Sequence, residues 1–431
     1  MAMVVKNNMS AISTLNTLNK NSSALSKSLQ KVSSGMKINS AADDASGYAI
    51  SERMRVQIRG LDQANQNTQN GTSMMKVAEG AVSSTVDILK TLKEKVINAA
   101  NDTNTDSDRA TIQKELDQSI DQINDNANVT YNGKYLVDGS KNSEIKNATT
   151  TSLTNESLSS ATKGGSAFSD LKDRNGNSLN INKLDTITMS YVKEGKTYTF
   201  SVSGSETLNA LVAKGTDLTN TVKEGSTIGS DIAGDTVGTA DGGTALTITA
   251  KAAGVTNQIS GLTFSVSNTK GQVQKSANAV LDNFTESIRA QNKSADNAIV
   301  LQVGTKANQS IKVGLTDMRA EALGLQSSSG QTIQIGTQKQ ANAAINALDN
   351  AVQKALDQQT TIGAVQSRLS YTSSNLTTAS ENVQSSESTI RDADMAKEMT
   401  EYTKNNVLLQ AAQSMLAQAN QSSSSVLSLL Q

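Results

Sequence analysis

The chain has 431 residues and contains no His, Cys, Pro or Trp, and its 39 basic residues almost balance its 40 acidic ones. Without His and Cys, an enzyme or metal site that depends on either side chain is excluded, and so is any disulfide. The net charge of -1 argues against a broad surface for nucleic acid or for an anionic membrane. The absence of Pro permits long, uninterrupted helices.

The first residues carry only two adjacent apolar side chains, Val4 and Val5, before the polar pair Asn7-Asn8. This stretch is too short to be the apolar region of a cleavable secretory signal. No window of the sequence approaches the roughly eighteen apolar residues of a membrane span. We therefore expect no membrane insertion and, if the protein is secreted, export without a cleavable signal peptide.

Residues 9–36 carry apolar side chains at steps of three, four and seven residues, which predicts a helix with one narrow apolar face. A second such pattern begins at Met395 and extends to Leu430. Because helices with narrow apolar faces are marginal alone in water, we expect the two to pair, to be mobile in the free protein and to become ordered on assembly. The residues predicted to carry self-assembly are Ile12, Leu15, Leu18, Leu25, Leu29, Val32, Met395, Met399, Tyr402, Leu409 and Leu416.

A polar connection follows the first helix. Gly35 is placed to end that helix, and Ser40, Asp43 or Asp44 is placed to cap the next one. Two adjacent carboxylates could also serve acid-base chemistry. We favour the capping interpretation, because carboxylates commonly accept hydrogen bonds from the free amides at a helix start.

The longest apolar repeat runs from residue 341 to 390, where an apolar residue recurs at every seventh position. A repeat sustained in this way is typical of a helix that lies against another helix. Residues 50–99 carry the matching repeat, so we expect two long helices that pack on each other. The predicted contact residues are Met54, Leu61, Met75, Val82, Leu89 and Val96 on the first helix and Leu348, Ile362, Leu369, Leu376 and Val383 on the second.

Shorter elements lie between the long helices. A helix is predicted from Asp106, with Ile112, Leu116, Ile120 and Ile123 facing inward. Asn132-Gly133 predicts a tight hairpin within 131–137, and 299–304 with 311–313 predicts another that turns at Asn308.

From about residue 140 the composition shifts to Ser, Thr, Gly and Asn, and the helical periodicity is lost. Alternating apolar residues predict two strands within 185–202, and 246–250 and 262–266 are further strand candidates. A short helix is predicted at 205–213, and another near Ser276 with Val280, Phe284 and Ile288 on one face. We expect an inserted module with strands, a thin core and a solvent-facing surface.

These patterns predict a mainly α fold. Long, coiled-coil-like helices formed by paired N- and C-terminal segments carry small β-hairpins and an inserted, variable α+β outer domain. The expected domains are 1–42 with 393–431, then 43–140 with 280–392, and finally 141–279.

The two ends of the sequence, about 1–140 and 280–431, resemble bacterial flagellin, the subunit of the flagellar filament. The resemblance rests on three longer stretches, residues 33–50, 318–325 and 415–420. Shorter matching motifs are Ala78-Glu79-Gly80-Ala81, Asn132-Gly133-Lys134, Arg391-Asp392-Ala393-Asp394-Met395, Glu398-Met399 and Val426-Leu427-Ser428-Leu429-Leu430. Flagellins often have a Pro before this last motif, whereas this chain has Ser422-Ser423-Ser424-Ser425, so we expect the tail helix to continue unbroken.

The resemblance implies a structural, non-enzymatic protein without cofactor or metal that self-assembles into a helical homopolymer for motility. It places the terminal helices in the inner core of the filament, the long-helix domain around them and the middle module outside. It also implies type III export, an export chaperone, and filament cap and junction proteins as partners. A hook-filament junction protein is an alternative, as is a filament subunit whose outer domain acts as an adhesin. The zinc protease carried by some flagellins is excluded, because it needs His ligands.

The resemblance further implies a surface recognised by a host Toll-like receptor. In flagellins that the receptor detects, this patch reads Leu-Gln-Arg-x-Arg-Glu-Leu. Here Thr91 stands in place of the first Arg and Lys95 in place of the final Leu, while Lys93 keeps the charge of the second Arg. Thr cannot form the paired hydrogen bonds of an Arg, and Lys in an apolar contact adds a desolvation cost. We therefore expect weak recognition, although this face could equally be solvated or packed against a neighbouring copy. The residues of the patch are Leu89, Lys90, Thr91, Lys93, Glu94, Lys95 and Glu115.

Overall fold

The computed structural model describes residues 8–144, 147–219, 222–231 and 234–429, with side chains described up to residue 422. Residues 1–7 and Leu430, to which some of the expectations above refer, lie outside this range. The chain divides into two compact units. Unit 1 contains Met1–Thr68, Gln302–Gln309 and Tyr371–Gln431, and unit 2 contains Gln69–Leu301 and Ser310–Ser370.

The described residues form helices and short strands. The helices are α1 (Met9–Ser34), α2 (Ala45–Ala99), α3 (Asp106–Ala127), α4 (Leu208–Lys214), α5 (Lys275–Leu281), α6 (Gln338–Arg391) and α7 (Met395–Leu429). The strands are β1 (Thr130–Tyr131), β2 (Lys134–Tyr135), β3 (Ser152–Asn155), β4 (Thr186–Lys193), β5 (Lys196–Ser203), β6 (Lys223–Gly225), β7 (Thr227–Ser230), β8 (Thr236–Gly238), β9 (Ala245–Thr249), β10 (Ile259–Ser267), β11 (Thr285–Ile288), β12 (Ile299–Gln302) and β13 (Ser310–Val313).

In unit 1, α1 and α7 form an antiparallel pair. Asn21 Nδ2 donates to the carbonyl of Leu408 at 3.1 Å. Farther along, Asn405 Nδ2 donates to Ser28 Oγ at 2.9 Å. The helix α1 begins at a side-chain cap, since Asn8 accepts a bond from the amide of Ala11. It ends at Gly35, whose positive φ of 71° suits glycine best.

The tail helix α7 is continuous across the four serines, as expected from the absence of Pro. A serine run is a weak helix former, but it retains every backbone amide that the helix needs.

The long helices α2 and α6 also run antiparallel. In unit 1, Arg55 pairs with Glu387 at 3.1 Å, and Ser373 Oγ donates to Asn65 Oδ1 at 2.7 Å. In unit 2, Gln366 Nε2 donates to Glu79 Oε2 at 2.8 Å. The predicted pairing of the two long repeats is therefore confirmed in each unit.

The strands of unit 2 form small antiparallel sheets. One has the order β10-β4-β5, and another has the order β11-β3-β9-β6. The predicted hairpin around Gly195 is confirmed as β4 and β5, with Met189 opposite Phe200. The predicted turns at Asn132-Gly133 and Asn308 connect β1 to β2 and β12 to β13, and both Asn residues have positive φ.

Two expectations for this region were wrong. The core of the inserted module is not thin, because both sheets and the short helices α4 and α5 enclose a large buried cluster that includes Phe168, Tyr191 and Phe264. The helix near Ser276 does not reach Ile288. It ends at Leu281, and Ile288 lies in β11 opposite Ser152 of β3, where pairing with the sheet satisfies the backbone.

Candidate functional site

The predicted assembly residues divide into two groups along the α1–α7 pair of unit 1. Members of the first group lie half-buried between the helices, and members of the second remain exposed. The half-buried residues are Leu18, Leu25, Val32, Tyr402, Leu409 and Leu416. The exposed residues are Ile12, Leu15, Leu29, Met395 and Met399. Pairing of α1 with α7 therefore covers only part of the apolar surface that the two helices carry.

Several exposed apolar residues were not among the predicted assembly residues. Met9 is 70% exposed on α1, and Met415 is 63% exposed on α7. Val407 and Leu408 are also exposed. The sequence contained a signal for them, because three consecutive apolar residues, Val407 to Leu409, cannot all face one partner helix.

A joint in unit 1 connects all four of its helices. The loop after α1 meets the loop after α6 through an antiparallel bridge between Met36 and Asp392. Arg391 is 6% exposed, and its Nη1 lies 2.7 Å from Glu52 Oε1 on α2. Its guanidinium also stacks over the ring of Tyr48, with 5.5 Å between the guanidinium carbon and the ring centroid. The sequence shows Arg391 only as part of a motif, since local periodicity gives no information about such long-range contacts.

The carboxylates Asp43 and Asp44 accept hydrogen bonds from backbone amides near the start of α2. Asp44 Oδ1 accepts bonds from the amides of Ser46 and Gly47, each at 3.0 Å. Asp43 Oδ2 accepts from the amide of Ser40 at 3.1 Å, and bonds of this kind lower the pKa of Asp43 although burial opposes them. Asp44 therefore caps α2, as the sequence suggested, whereas Asp43 accepts its bonds from residues 39 and 40 in the turn before the helix.

The predicted contact positions of the long helices are largely buried. Met54 and Val383 are half-buried. The buried positions in unit 1 are Leu61 and Leu376. The buried positions in unit 2 are Met75, Val82, Leu89, Val96, Leu348, Ile362 and Leu369.

The patch proposed to face a receptor is mostly exposed but internally paired. Lys95 Nζ lies 3.0 Å from Glu115 Oε1, and Lys93 pairs with Asp349 of α6. Thr91 Oγ1 donates to the carbonyl of Asp87 at 3.0 Å.

Lys90 and Glu94 complete the exposed part of the patch. Leu89 is fully buried. Its assignment to a receptor-facing surface is wrong, because the same heptad position that makes it a helix contact turns it away from solvent.

Comparison with known proteins gives the family. Residues 5–142 match the bacterial flagellin N-terminal helical region, and residues 345–430 match the bacterial flagellin C-terminal helical region. A flagellin of Clostridium tyrobutyricum is 34% identical over 97% of this chain and 99% of its own length. A flagellin of Bacillus subtilis is 30% identical over 99% of this chain and 100% of its own length.

A solved flagellar hook-associated protein of Legionella pneumophila is 15% identical, covering 78% of this chain and 97% of its own, with a TM-score of 0.34. That similarity is too low to decide anything about this chain.

The paired terminal helices and the long antiparallel helices define a mainly helical structural protein, with apolar residues left exposed on the terminal pair. The chain belongs to the bacterial flagellin family. It is a structural subunit of the extracellular flagellar filament, and the junction-protein alternative is not favoured over this assignment. In the part of the chain that the structure describes, no helix has the length and apolar character to cross a membrane.

Proposed function

We propose that the apolar residues left exposed on the α1–α7 pair form the contacts through which copies of this chain join into the filament. One observation carries the proposal: residues such as Ile12 and Met399 remain about half exposed although their helices already pack on each other. Large apolar surfaces that stay exposed in a folded chain are typical of interaction sites. A surface that contacts a different surface of the next copy gives an open helical polymer.

The experiment substitutes one exposed apolar residue of α1. Leu15 is 45% exposed, so Leu15→Asp should leave the folding of unit 2 unchanged and prevent growth of filaments from added seeds. Asn16→Asp is the matched control, because the neighbouring residue is also exposed and the change adds the same charge to an already polar side chain. Sedimentation and electron microscopy of seeded samples measure the outcome. Normal filament growth by Leu15→Asp would overturn the proposal.

The proposal also assigns each segment of the chain a place in the filament. Residues 1–42 and 393–431 form the inner core, 43–140 and 280–392 surround it, and 141–279 face outward. The chain acts without catalysis or a cofactor, and its partners are an export chaperone, the type III export apparatus, and the cap and junction proteins. This assignment is supported by the family and by the match of its two helical regions to the two ends of the chain. Removing 1–42 or 393–431 should abolish filaments while the inserted module keeps its sheet signal in circular dichroism.

We further propose weak recognition by the flagellin-sensing Toll-like receptor through the exposed part of the patch, Lys90 to Lys95 with Glu115. The ion pair between Lys95 and Glu115 supports this proposal, because a receptor group that uses Glu115 would have to replace Lys95.

A further inference from the structure

Unit 2 contains a cavity of about 400 Å³ beside α6, which we call the Glu286 cavity. Its wall includes Glu286 and Arg289 from the segment around β11, Thr316, and Lys354 and Gln358 from α6. A cavity of this size can hold several water molecules or one small ligand. No assembly contact proposed above uses these residues, so this inference is independent of the proposed function.

Two buried polar atoms on the wall have no hydrogen-bond partner among the described residues. The first is Nε2 of Gln358, whose residue is only 4% exposed. The other end of this amide is fixed, because Gln358 Oε1 accepts bonds from Thr316 N at 3.2 Å and from Thr316 Oγ1 at 2.6 Å. The orientation of the amide therefore leaves Nε2 as a donor without an acceptor.

The second atom is Oε1 of Glu286. The Glu286 side chain is 5% exposed, and its other carboxylate oxygen lies 3.5 Å from Arg289 Nε. Burial raises the pKa of Glu286, while Lys354 and Arg289 oppose that shift. The free oxygen accepts a hydrogen bond when the carboxylate is ionised, and it can accept one or carry the donating proton when the carboxyl is protonated.

The cations around the cavity have partners of their own. Arg289 Nη2 lies 2.6 Å from Asp357 Oδ2, and Lys354 donates to the carbonyl of Ala322. An ammonium group has three donors, so Lys354 retains further hydrogen-bonding capacity. Leaving buried polar atoms unpaired destabilises the folded state, because their hydrogen bonds to water are lost and not replaced. A molecule that bridges the wall groups would remove that cost.

We propose that the Glu286 cavity binds a small neutral polyhydroxylated molecule, with the size of a hexitol or a monosaccharide, whose hydroxyl groups bridge Gln358 Nε2 and Glu286 Oε1. A hydroxyl both donates and accepts, so it satisfies Gln358 and also satisfies Glu286 in either protonation state. The wall carries both signs of charge, with Arg289 and Lys354 as basic residues and Glu286, Asp231 and Asp357 as acidic ones, so a charged ligand of either sign meets a like charge. Among these ligand classes, the hydroxyl compound alone meets no unfavourable charge.

The test measures binding of D-sorbitol to the full-length chain by saturation-transfer NMR and by titration calorimetry. Gln358→Glu keeps the oxygen that Thr316 uses and replaces the free donor with a second acceptor. The single proton of a bridging hydroxyl cannot serve both this acceptor and ionised Glu286, so sorbitol binding should weaken by about tenfold or more at a pH where Glu286 is ionised. Gln359→Glu is the matched control, since this neighbour has the same chemistry and does not line the cavity. The control should bind sorbitol as the parent chain does.

A second variant protects the test against misfolding of Gln358→Glu. Ser287→Leu places a larger apolar side chain on the cavity wall and should also abolish sorbitol binding. The proposal is overturned if sorbitol gives no saturation transfer, which would leave the cavity to water only. It is equally overturned if sodium acetate or methylammonium binds in place of sorbitol, or if Gln358→Glu binds sorbitol with unchanged affinity.

Discussion

Arg391 and Glu52 lie 339 residues apart in the sequence, yet Arg391 Nη1 is 2.7 Å from Glu52 Oε1. The pair joins the end of α6 to the first turns of α2. The backbone carbonyl of Arg391 also accepts a bond from the amide of Lys37 at 2.7 Å. One residue thus fixes the point where the terminal helices leave the long helices in unit 1.

Replacing Arg391 with Lys should destabilise this joint. Lys cannot reproduce the several directed bonds and the ring contact of the buried guanidinium, so we expect unit 1 to lose about 1–3 kcal/mol of unfolding free energy. Urea denaturation, with hydrogen exchange of residues 36–52, measures the change. Arg55→Lys is the control, because the Arg55–Glu387 pair is partly exposed and should cost less than about 0.5 kcal/mol. Equal losses in both variants would contradict the central role of Arg391.

Gly261 in β10 should not tolerate a side chain. Its φ is +65°, and an added Cβ would lie 2.2 Å from the carbonyl oxygen of Ala343 on α6. We expect Gly261→Ala to cost about 2–4 kcal/mol, because the obstructing atoms are backbone and cannot rotate away. Thermal unfolding of unit 2 measures the loss.

Gly363 lies on α6, the helix that Gly261 approaches, and it provides the opposite case. An added Cβ there meets nothing within 4 Å. Gly363→Ala should therefore stabilise the protein by about 0.5–1 kcal/mol, since Ala favours the helical backbone. A Gly261→Ala variant as stable as the parent chain would refute the close approach of β10 to α6.

The stability of unit 2 should depend on the protonation of Asp282. Burial raises the pKa of Asp282 to about 6 from a reference value of 3.8, although its bond from the Phe264 amide opposes the shift. Because the folded-state pKa is the higher one, the folded state favours the protonated carboxyl. The stabilisation is complete below the unfolded pKa and is lost as the pH rises through about 6.

Asp282→Asn removes the charge and can still accept the Phe264 bond. We expect this variant to be more stable than the parent chain by about 1–3 kcal/mol at pH 7 and to show a flatter stability profile between pH 4 and 7. Unfolding free energies measured across that range test the prediction. Asp121→Asn, on the exposed side of α3, is the control. The prediction is refuted if the Asp282 contribution to the unfolding free energy of the parent chain increases as the pH rises from 4 to 7.

Receptor signalling should increase when the two departures in the patch are reversed. Thr91→Arg with Lys95→Leu restores the charged fork and the apolar contact, and it releases Glu115 from Lys95. A reporter-cell assay should show at least about a tenfold gain in potency, equivalent to about 1.4 kcal/mol of binding. Full potency of the unmodified chain would show that the departures do not weaken recognition.

Hydrogen exchange should distinguish the terminal helices of the free subunit from those of the filament. The exposed apolar residues on α1 and α7 leave these helices with little buried surface, so their amides should exchange quickly in the dilute subunit and slowly in filaments. The amides of α2 near Val82 and Leu89 should be protected in both states, because these residues are buried. Slow exchange of α1 in a dilute monomer would contradict the expectation of order on assembly.

The sequence alone determined the elements that depend on local physics. Heptad repeats located α2 and α6, and the antiparallel match of the two repeats is seen at Arg55 with Glu387 and at Gln366 with Glu79. Turn chemistry located the hairpins at Asn132-Gly133 and Gly195. These features were predictable because each follows from neighbouring residues, through helical periodicity or a preferred backbone angle.

Only the tertiary structure decided which apolar and polar residues remain without a partner. The heptad pattern assigned Leu89 to a helix contact, but it could not show that Leu15 stays exposed, since both occupy apolar positions of their helices. The pattern also could not predict the Arg391–Glu52 pair or the strand partner of Ile288. It gave no sign of the unpaired atoms of Glu286 and Gln358. Each of these depends on contacts between residues far apart in the chain. Local sequence describes a residue's own conformational preference, but its burial depends on which distant surface packs against it.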